Sequence, residues 1–350
     1  MRLVTRADFD GLVCGAIITL MEEIDSYLFV EPKFMQDGQV EIRPGDIIAN
    51  LPYHPNCTLW FDHHITNNAP GFGENSIVPG KGAFRLAPSA ARVVYEYYTA
   101  EGNRTSASSV ESQQAPPQGK ADQPSPQSIG ESVRSPVADL AEIGNRKIAE
   151  GMKVLGTERM RYLLHETDRV DAALLTPDDV LHPQGYVLIS MTIDGVRPKD
   201  EPYWLRLIEL LRDVPVEEIL KDPEVKRRCQ DILKNQERLK EILLQRATLK
   251  GNVIFVDLRG IKDMPDGNRF LLFTLFPTGN ISLKIADDSQ RPNTTAISVG
   301  YNIFNTTSKV NVGALMKQYG GGGHKAVGSC RVPNDKAEQA IREIVAAVKE

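Results

Sequence analysis

The sequence predicts an α/β protein with two domains, and three observations support this prediction. In the first half of the chain, short apolar runs alternate with amphipathic helical segments, which is typical of a mostly parallel sheet covered by helices. A second, smaller set of strand and helix patterns follows a long amphipathic helix. The length of 350 residues suits two domains, or three small ones, at roughly 100–200 residues per domain.

The first half of the chain is predicted to build the parallel sheet. Each predicted strand is a short apolar run bounded by turn residues, and amphipathic helices lie between the strands. The predicted strands are MRLVT, SYLFV, DIIAN and TLWF, and the predicted helices are LVCGAIITLMEEI and APSAARVVYEYYTAEG.

Residues 102–136 differ from the rest in composition. This segment is rich in Ser, Gln, Pro and Ala and has no aromatic residue, so it cannot bury enough apolar surface to offset its ordering entropy. We predict a disordered insertion between two helices of one domain. Its role is left open between a spacer and a docking tail for a partner.

The second half continues with helices and then a second sheet. Apolar residues recur at helical spacing from Val216 to about Lys250, and Pro223 interrupts the pattern. We predict a first domain over 1–200, a helical connector over 201–250 and a second domain over 251–350. The remaining predicted strands are GYVLISMTI, NVIFVDLR, FLLFTLF and ISLKIA, and the closing helix is DKAEQAIREIVAAVK.

Composition excludes several classes of protein. The net charge of −5 and the pI near 5.8 argue against binding of long duplex nucleic acid over the whole surface. No apolar run approaches the roughly 18 residues that a membrane helix needs, and the N-terminus has no signal-peptide pattern. The four cysteines are far apart and form no CxxC pair, so we expect a cytoplasmic protein without disulfides and without a membrane partner.

Two motifs in the first half place polar groups directly after predicted strands. TRADFDG carries Asp8 and Asp10 before a helix, and LWFDHH carries Asp62, His63 and His64 after a buried strand. Ligands of open α/β sheets collect beyond the carboxyl ends of the strands. Carboxylates and imidazoles together suit Mn, Fe or Zn.

Two further motifs complete the set. HETDRVD carries Asp168 and Asp171 near a helix end, and YGGGGHKAVGS spans Tyr319 to Ser329. Consecutive glycines allow a backbone to approach a ligand closely, while His324 and Lys325 add donors suited to phosphate. The chain contains no GxxxxGK[ST] sequence, so this loop is not a P-loop.

These four motifs, in this order, resemble the DHH/DHHA1 phosphoesterase family, and most of all its nanoRNase, pAp-phosphatase and exopolyphosphatase-like branch. The resemblance implies a larger N-terminal DHH domain that carries a pair of Mn²⁺ ions and a smaller C-terminal α/β DHHA1 domain that holds substrate across a cleft. For this chain it implies one or two Mn²⁺ ions as cofactor, with Mg²⁺ or Co²⁺ as alternatives.

Residue roles carry over from the same resemblance. Asp171 competes with Asp168 for the last metal position, and Asp62 is either a ligand or an orienting group. The implied metal ligands are Asp8, Asp10, Asp62, His63 and Asp168; the implied catalytic residues are His64, Arg6 and Asp62; the implied substrate-binding residues are Gly321, Gly322, Gly323, His324 and Lys325.

Two positions depart from the family pattern. Arg6 stands where the family has a ligand histidine, and Asn50 occupies the slot of a metal aspartate, although Asp46 begins the same strand. An arginine has no lone pair for a metal. We therefore infer that one metal position is weakened or lost, and that Arg6 supplies positive charge to a substrate phosphate.

The leading functional hypothesis is a metal-dependent phosphohydrolase that acts on short oligonucleotides, nucleoside phosphates or related short phosphate chains. The alternative is a decayed catalytic centre that serves as a nucleotide-binding or phosphate-binding sensor or scaffold. Processing of long single strands is a third hypothesis, but the chain lacks the basic and aromatic interleaving that this needs. By analogy with relatives, we expect a homodimer.

Overall fold

The computed structural model describes residues 1–67, 76–78, 80–111, 136–288 and 290–349. The chain divides into two separately packed units. Unit 1 comprises Met1–Ala172 and Ile193–Ile219, and unit 2 comprises Ala173–Thr192 and Leu220–Glu350. The α/β class with two domains is confirmed, while the predicted bounds of 1–200, 201–250 and 251–350 stay a prediction.

Unit 1 is built on a six-stranded sheet in the order β2-β1-β3-β4-β6-β5. All neighbouring strands are parallel except the edge pair of β5 and β6, so the predicted mostly parallel sheet is confirmed. The strands are β1 (Arg2–Thr5), β2 (Ser26–Phe29), β3 (Asp46–Ala49), β4 (Leu59–Asp62), β5 (Ser76–Val78) and β6 (Gly82–Phe84).

The helices of unit 1 flank this sheet. They are α1 (Phe9–Met21), α2 (Pro32–Gln36), α3 (Ala90–Glu111), α4 (Pro136–Leu155), α5 (Glu158–Asp171), α8 (Glu201–Asp213) and α9 (Val216–Ile219). Helix α3 extends to Glu111, so the start of the predicted insertion over 102–136 is helical. Residues 112–135 of that insertion lie outside the described residues.

The core of unit 1 lies on both faces of the central strands. Every residue of β3 and β4 is buried, as the apolar runs predict for parallel strands covered on two sides. Trp60 stacks on Phe84 with ring centroids 5.6 Å apart. Helix α1 is apolar around most of its circumference and almost entirely buried, which is typical of a helix enclosed by other elements.

Unit 2 is built on a second six-stranded sheet in the order β11-β12-β10-β9-β8-β7. Only β8 and β9 are parallel, and the other pairs are antiparallel. The strands are β7 (Ala247–Lys250), β8 (Val253–Asp257), β9 (Ile281–Asp287), β10 (Thr294–Tyr301), β11 (Gly322–Gly323) and β12 (Val327–Pro333).

Helices cover both faces of this second sheet. They are α6 (Pro177–Leu181), α7 (Gly185–Ser190), α10 (Pro223–Arg246), α11 (Leu271–Leu275), α12 (Val312–Lys317) and α13 (Asn334–Val348). Successive residues of β8 point to opposite faces of the sheet. Val253 packs in the hydrophobic core with α12 and α13, and Ile254 packs in the hydrophobic core with α10 and α11. Pro223 begins α10 after the cap Asp222, which explains the interruption in the helical pattern.

Two predicted strands are helices in the structure. GYVLISMTI contains helix α7, and FLLFTLF contains helix α11. Short apolar runs do not distinguish a buried strand from a buried helical turn, because their periodicity is too brief to decide. Strands β5, β6, β7, β10, β11 and β12 were not predicted.

No described helix combines the length and the apolar character that crossing a membrane requires.

Candidate active site

The predicted polar residues of unit 1 converge at one edge of its sheet. Strands β1, β3 and β4 are neighbours and parallel, so their carboxyl ends meet at that edge. Arg6 and the two aspartates of the acidic turn follow β1, Asn50 follows β3, and the histidine pair follows β4. Topology alone therefore brings together residues that are distant in the sequence.

The acidic turn after β1 requires a close backbone approach. Asp8 caps helix α1, and its Oδ1 accepts a hydrogen bond from the Gly11 amide at 2.8 Å. A methyl group on Gly11 would lie 2.1 Å from the Arg6 carbonyl oxygen. Only glycine fits this position, so the glycine of the motif serves the turn that presents both aspartates.

Asp10 is buried and lies against the start of helix α3. Its two carboxylate oxygens accept hydrogen bonds from the amides of Ala90 and Ala91, each at 2.8 Å. Burial raises the pKa of Asp10 well above its ordinary value, and the negative charges of Asp171 and Asp8 raise it further. A buried carboxylate beside other carboxylates gains most from a bound cation.

His63 presents an unused nitrogen to the same carboxylates. Its Nδ1 donates to the Ala87 carbonyl oxygen at 2.9 Å, an assignment that fits the neutral tautomer with a lone pair on Nε2. Nε2 is buried, and no hydrogen bond reaches it from the described residues. It lies 3.4 Å from Asp171 Oδ2 and 3.8 Å from Asp10 Oδ2.

These three residues form a donor set that fits a divalent metal ion. Ligand atoms of Asp10, His63 and Asp171 all lie within 4.8 Å of one another. A backbone carbonyl that fixes the histidine through Nδ1 is a common second partner of metal-binding imidazoles. The unused buried Nε2 beside two carboxylate oxygens is the feature that a cation would satisfy.

Asp62 organises the loop after β4. It is fully buried, and its Oδ1 accepts hydrogen bonds from the His63 amide at 2.7 Å and from His64 Nδ1 at 2.8 Å. Its Oδ2 accepts from Asn67 Nδ2 at 2.8 Å. With both oxygens engaged, Asp62 has the contacts of an orienting group, although its carboxylate also lies within 4.8 Å of ligand atoms of both histidines.

His64 is more exposed than His63 and is held by Asp62. The hydrogen bond from Nδ1 to the Asp62 carboxylate raises the pKa of His64, because the negative charge favours the imidazolium form. Its Nε2 is then a donor that can contact an anionic ligand.

Asp8 has different surroundings from Asp10. Arg6 Nη1 lies 3.1 Å from Asp8 Oδ2, and Asn50 Nδ2 donates to Asp8 Oδ1 at 3.0 Å. The Arg6 guanidinium also contacts Glu31 Oε2, with Nη2 and Nε each 3.3 Å away. The protein's own donors thus surround Asp8, and Asp8 does not take part in either potential metal cluster among the described residues.

The two aspartates of helix α5 take different roles. Asp171 faces His63, whereas Asp168 accepts hydrogen bonds from Ser89 Oγ at 2.7 Å and from Arg92 Nε at 3.0 Å. The structure therefore brings Asp171, and not Asp168, to His63. Sequence reasoning did not find Arg92 or Glu31, because no local spacing signals a partner so far along the chain.

The glycine-rich loop lies in unit 2 and has a structural role of its own. A methyl group on Gly321 would lie 2.1 Å from the Ser329 carbonyl oxygen, and one on Gly323 would lie 2.2 Å from the Val327 carbonyl oxygen. The hairpin of β11 and β12 thus needs these glycines, whereas Gly322 has open space around it. His324 and Lys325 follow with exposed side chains.

Comparison with known proteins identifies solved structures that are similar to this chain. A pGpG-specific phosphodiesterase, PggH from Vibrio cholerae, is 30% identical, with a TM-score of 0.74; the match covers 99% of this chain and 98% of that one. RecJ from Thermus thermophilus in complex with Mn²⁺ is 15% identical, with a TM-score of 0.49; the match covers 99% of this chain and 51% of RecJ.

An exopolyphosphatase-related protein from Bacteroides fragilis is 11% identical, with a TM-score of 0.45, and the match covers 100% of this chain and 93% of that one. No family model matches the chain, and no curated protein matches it.

Proposed function

Because this chain belongs to the DHH/DHHA1 family and is a metal-dependent phosphoesterase, we propose that it hydrolyses short 5′-phosphorylated oligonucleotides. The leading candidate is a linear dinucleotide such as pGpG, the substrate named for the PggH protein that is 30% identical over 99% of the chain. The acidic net charge of −5 favours a short substrate over a long polyanion.

The observation that carries this proposal is the unused Nε2 of His63 between Asp10 and Asp171. We propose that Asp10, His63 and Asp171 hold the divalent ion, with Asp171 in the position that the resemblance had assigned first to Asp168. Mn²⁺ suits two carboxylates and an imidazole, with Mg²⁺ or Co²⁺ as alternatives. When bound, such an ion polarises a phosphoryl oxygen and lowers the pKa of water.

The remaining residues of the site orient and contact the substrate. Asp62 fixes both histidines of the loop, and His64 uses Nε2 to donate a hydrogen bond to a phosphate oxygen. Hydrolysis adds one water to phosphorus and breaks the bond to the bridging oxygen, which takes up a proton. From pGpG, this reaction releases two molecules of GMP.

In unit 2 we propose that the loop of Gly321, Gly322, Gly323, His324 and Lys325 binds the substrate. The exposed His324 and Lys325 supply donors for its phosphate. Gly322 is the loop glycine that packing leaves open, so it is the position where a ligand can approach the backbone most closely.

The test is hydrolysis of pGpG by the full-length protein with Mn²⁺, followed by chromatography of GMP. We expect activity that a chelator abolishes, and that Asp10→Asn lowers by about 10³-fold, because losing the ion removes several kcal/mol of transition-state stabilisation. The matched control is Asp37→Asn, an exposed aspartate paired with Lys33, which should retain full activity.

Nucleoside 3′,5′-bisphosphate, short polyphosphate and a long single-stranded RNA serve as competing substrates in the same assay. Faster turnover of any of them than of pGpG would contradict the proposed substrate. Equal activity of Asp10→Asn and wild type would contradict the proposed metal site.

A further inference from the structure

The surroundings of Asp8 account for the two departures from the family pattern together. Arg6 Nη1 lies 3.1 Å from Asp8 Oδ2, and Asn50 Nδ2 lies 3.0 Å from Asp8 Oδ1. The Gly11 amide also donates a hydrogen bond to Asp8 Oδ1. Asp8 therefore contacts one cation and two neutral donors from the chain itself. In the family pattern, a histidine replaces Arg6 and an aspartate replaces Asn50 beside this carboxylate.

We propose that the Arg6 guanidinium replaces one metal ion of the family's pair, so that this enzyme works with a single ion at Asp10, His63 and Asp171. This inference rests on the proposed function, because it assigns the number of ions and the role of Arg6 within the same site. A guanidinium carries a permanent positive charge and no lone pair, so an ion beside Arg6 would meet repulsion and gain no ligand.

Asn50 supports the same assignment. An asparagine offers a neutral carbonyl oxygen, which is a weak bridge between two cations, and its amide nitrogen is already committed to Asp8. Its backbone is in the left-handed region with φ of 57°, a conformation that asparagine adopts more readily than most residues. Position 50 thus supplies a hydrogen-bond donor to Asp8 where the family pattern has a metal-binding aspartate.

Arg6 also has capacity to bind substrate. Its guanidinium carries five N–H groups, and the contacts with Asp8 and Glu31 use only part of them. The side chain is 40% exposed. Arg6 is therefore a fixed cation that presents N–H groups to a phosphate oxygen, which makes it a catalytic residue of this site.

The first test counts ions without using the reaction. Metal-free wild type is titrated with Mn²⁺ by calorimetry, and the bound ion is examined by electron paramagnetic resonance. We expect one ion per chain and the spectrum of an isolated Mn²⁺. Two ions with a spin-coupled spectrum would overturn this inference alone, whereas no binding at all would overturn the proposed function and the inference with it.

The second test restores the family residues. Arg6→His combined with Asn50→Asp should raise the stoichiometry to two ions and produce a spin-coupled spectrum. Arg43→His, at an exposed arginine paired with Glu41, is the control and should leave one ion. If the double variant folds, as judged by circular dichroism, and still binds one ion, the inference is wrong.

A third variant tests the role of Arg6 if the double variant does not fold. Arg6→Gln should keep one Mn²⁺ with unchanged affinity and lower kcat by about 10³-fold, as expected for removal of an arginine that stabilises a transferring phosphoryl group. Arg6→Lys should recover part of that loss. An unchanged kcat in Arg6→Gln would overturn the role of Arg6.

Discussion

Asp8 and Asp10 stand two positions apart in the same turn, yet different groups surround their carboxylates. Asp8 forms an ion pair with Arg6 and accepts hydrogen bonds from Asn50 and the Gly11 amide. Asp10 is buried, accepts hydrogen bonds from the neutral backbone amides of Ala90 and Ala91, and lies beside the acceptor nitrogen of His63 and another carboxylate. A motif of paired aspartates therefore does not by itself specify a pair of metal ions. The residues that the fold brings to each carboxylate decide whether it needs an external cation.

The largest effect is expected at the two aspartates of helix α5. We expect Asp171→Asn to weaken Mn²⁺ binding by about 100-fold, since it removes one carboxylate of a three-residue donor set. Asp168→Asn should leave the Mn²⁺ Kd nearly unchanged and lower the free energy of unfolding by about 2 kcal/mol, because Arg92 loses its partly buried charged partner.

Calorimetry with Mn²⁺ and urea denaturation measure these two effects separately. Asp178→Asn is the control for both, because Asp178 is exposed and bonds only locally to His182 among the described residues. If Asp168→Asn weakened Mn²⁺ binding more than Asp171→Asn does, the ion would not lie at Asp10, His63 and Asp171. The different surroundings of Asp8 and Asp10 would then need another explanation.

The choice between these two helix positions shows how far the sequence could predict the site. The runs DIIAN and TLWF predicted two parallel strands, and the polar residues after them were predicted to share one sheet edge, as the topology shows. Asp168 and Asp171 are three residues apart on one helix, so both lie near the same face and spacing cannot separate them. Tertiary packing separates the two aspartates, because Arg92 of helix α3 pairs with Asp168 while Asp171 faces His63.

The same limit applies to the fold. FLLFTLF satisfies a strand pattern and a helical turn equally well, and only the packing of helix α11 against the neighbouring cluster decides between them. Glu31 illustrates the limit for charges, since it lies 25 positions from Arg6 and no pattern links them. Long-range side-chain pairs depend on the assembled fold, which one sequence does not encode in its local spacing.

A smaller effect is expected at Asn50. Its left-handed backbone conformation affects stability, and its side-chain hydrogen bond to Asp8 affects the site. Asn50→Ala should lower the free energy of unfolding by about 1–2 kcal/mol, because alanine is disfavoured at a φ of 57°. Asn293 has a φ of 58° in unit 2, so Asn293→Ala is a matched control for the strain. Urea denaturation measures both.

Asn50→Gly relieves the strain while still removing the amide donor to Asp8. We expect Asn50→Gly to be more stable than Asn50→Ala. Both variants should lose activity to a similar extent, because both lack the amide donor to Asp8, whereas Asn293→Ala should keep full activity. If Asn50→Gly recovered the activity as well as the stability, the hydrogen bond to Asp8 would have no part in the site.

The smallest effect is expected at Glu31, which shares the Arg6 guanidinium with Asp8. Both side chains are partly exposed, at 40% and 29%, so the pair is worth at most about 1 kcal/mol. Glu31→Gln removes one anion beside Arg6 and should therefore lower KM for an anionic substrate by about twofold, since about 0.4 kcal/mol is a factor of two. The Mn²⁺ stoichiometry should stay at one ion.

Salt distinguishes the two ways in which Glu31 could act on Arg6. If Glu31 only draws positive charge away from the substrate, the difference in KM between Glu31→Gln and wild type should vanish at high salt, where partly exposed charges are screened. If Glu31 positions the guanidinium, the difference should persist and kcat should fall as well. Glu41→Gln, at the exposed pair with Arg43, should change neither constant. Binding of a second ion to Glu31→Gln would contradict the assignment of Arg6, because losing a carboxylate leaves the guanidinium charge in place and adds no metal ligand.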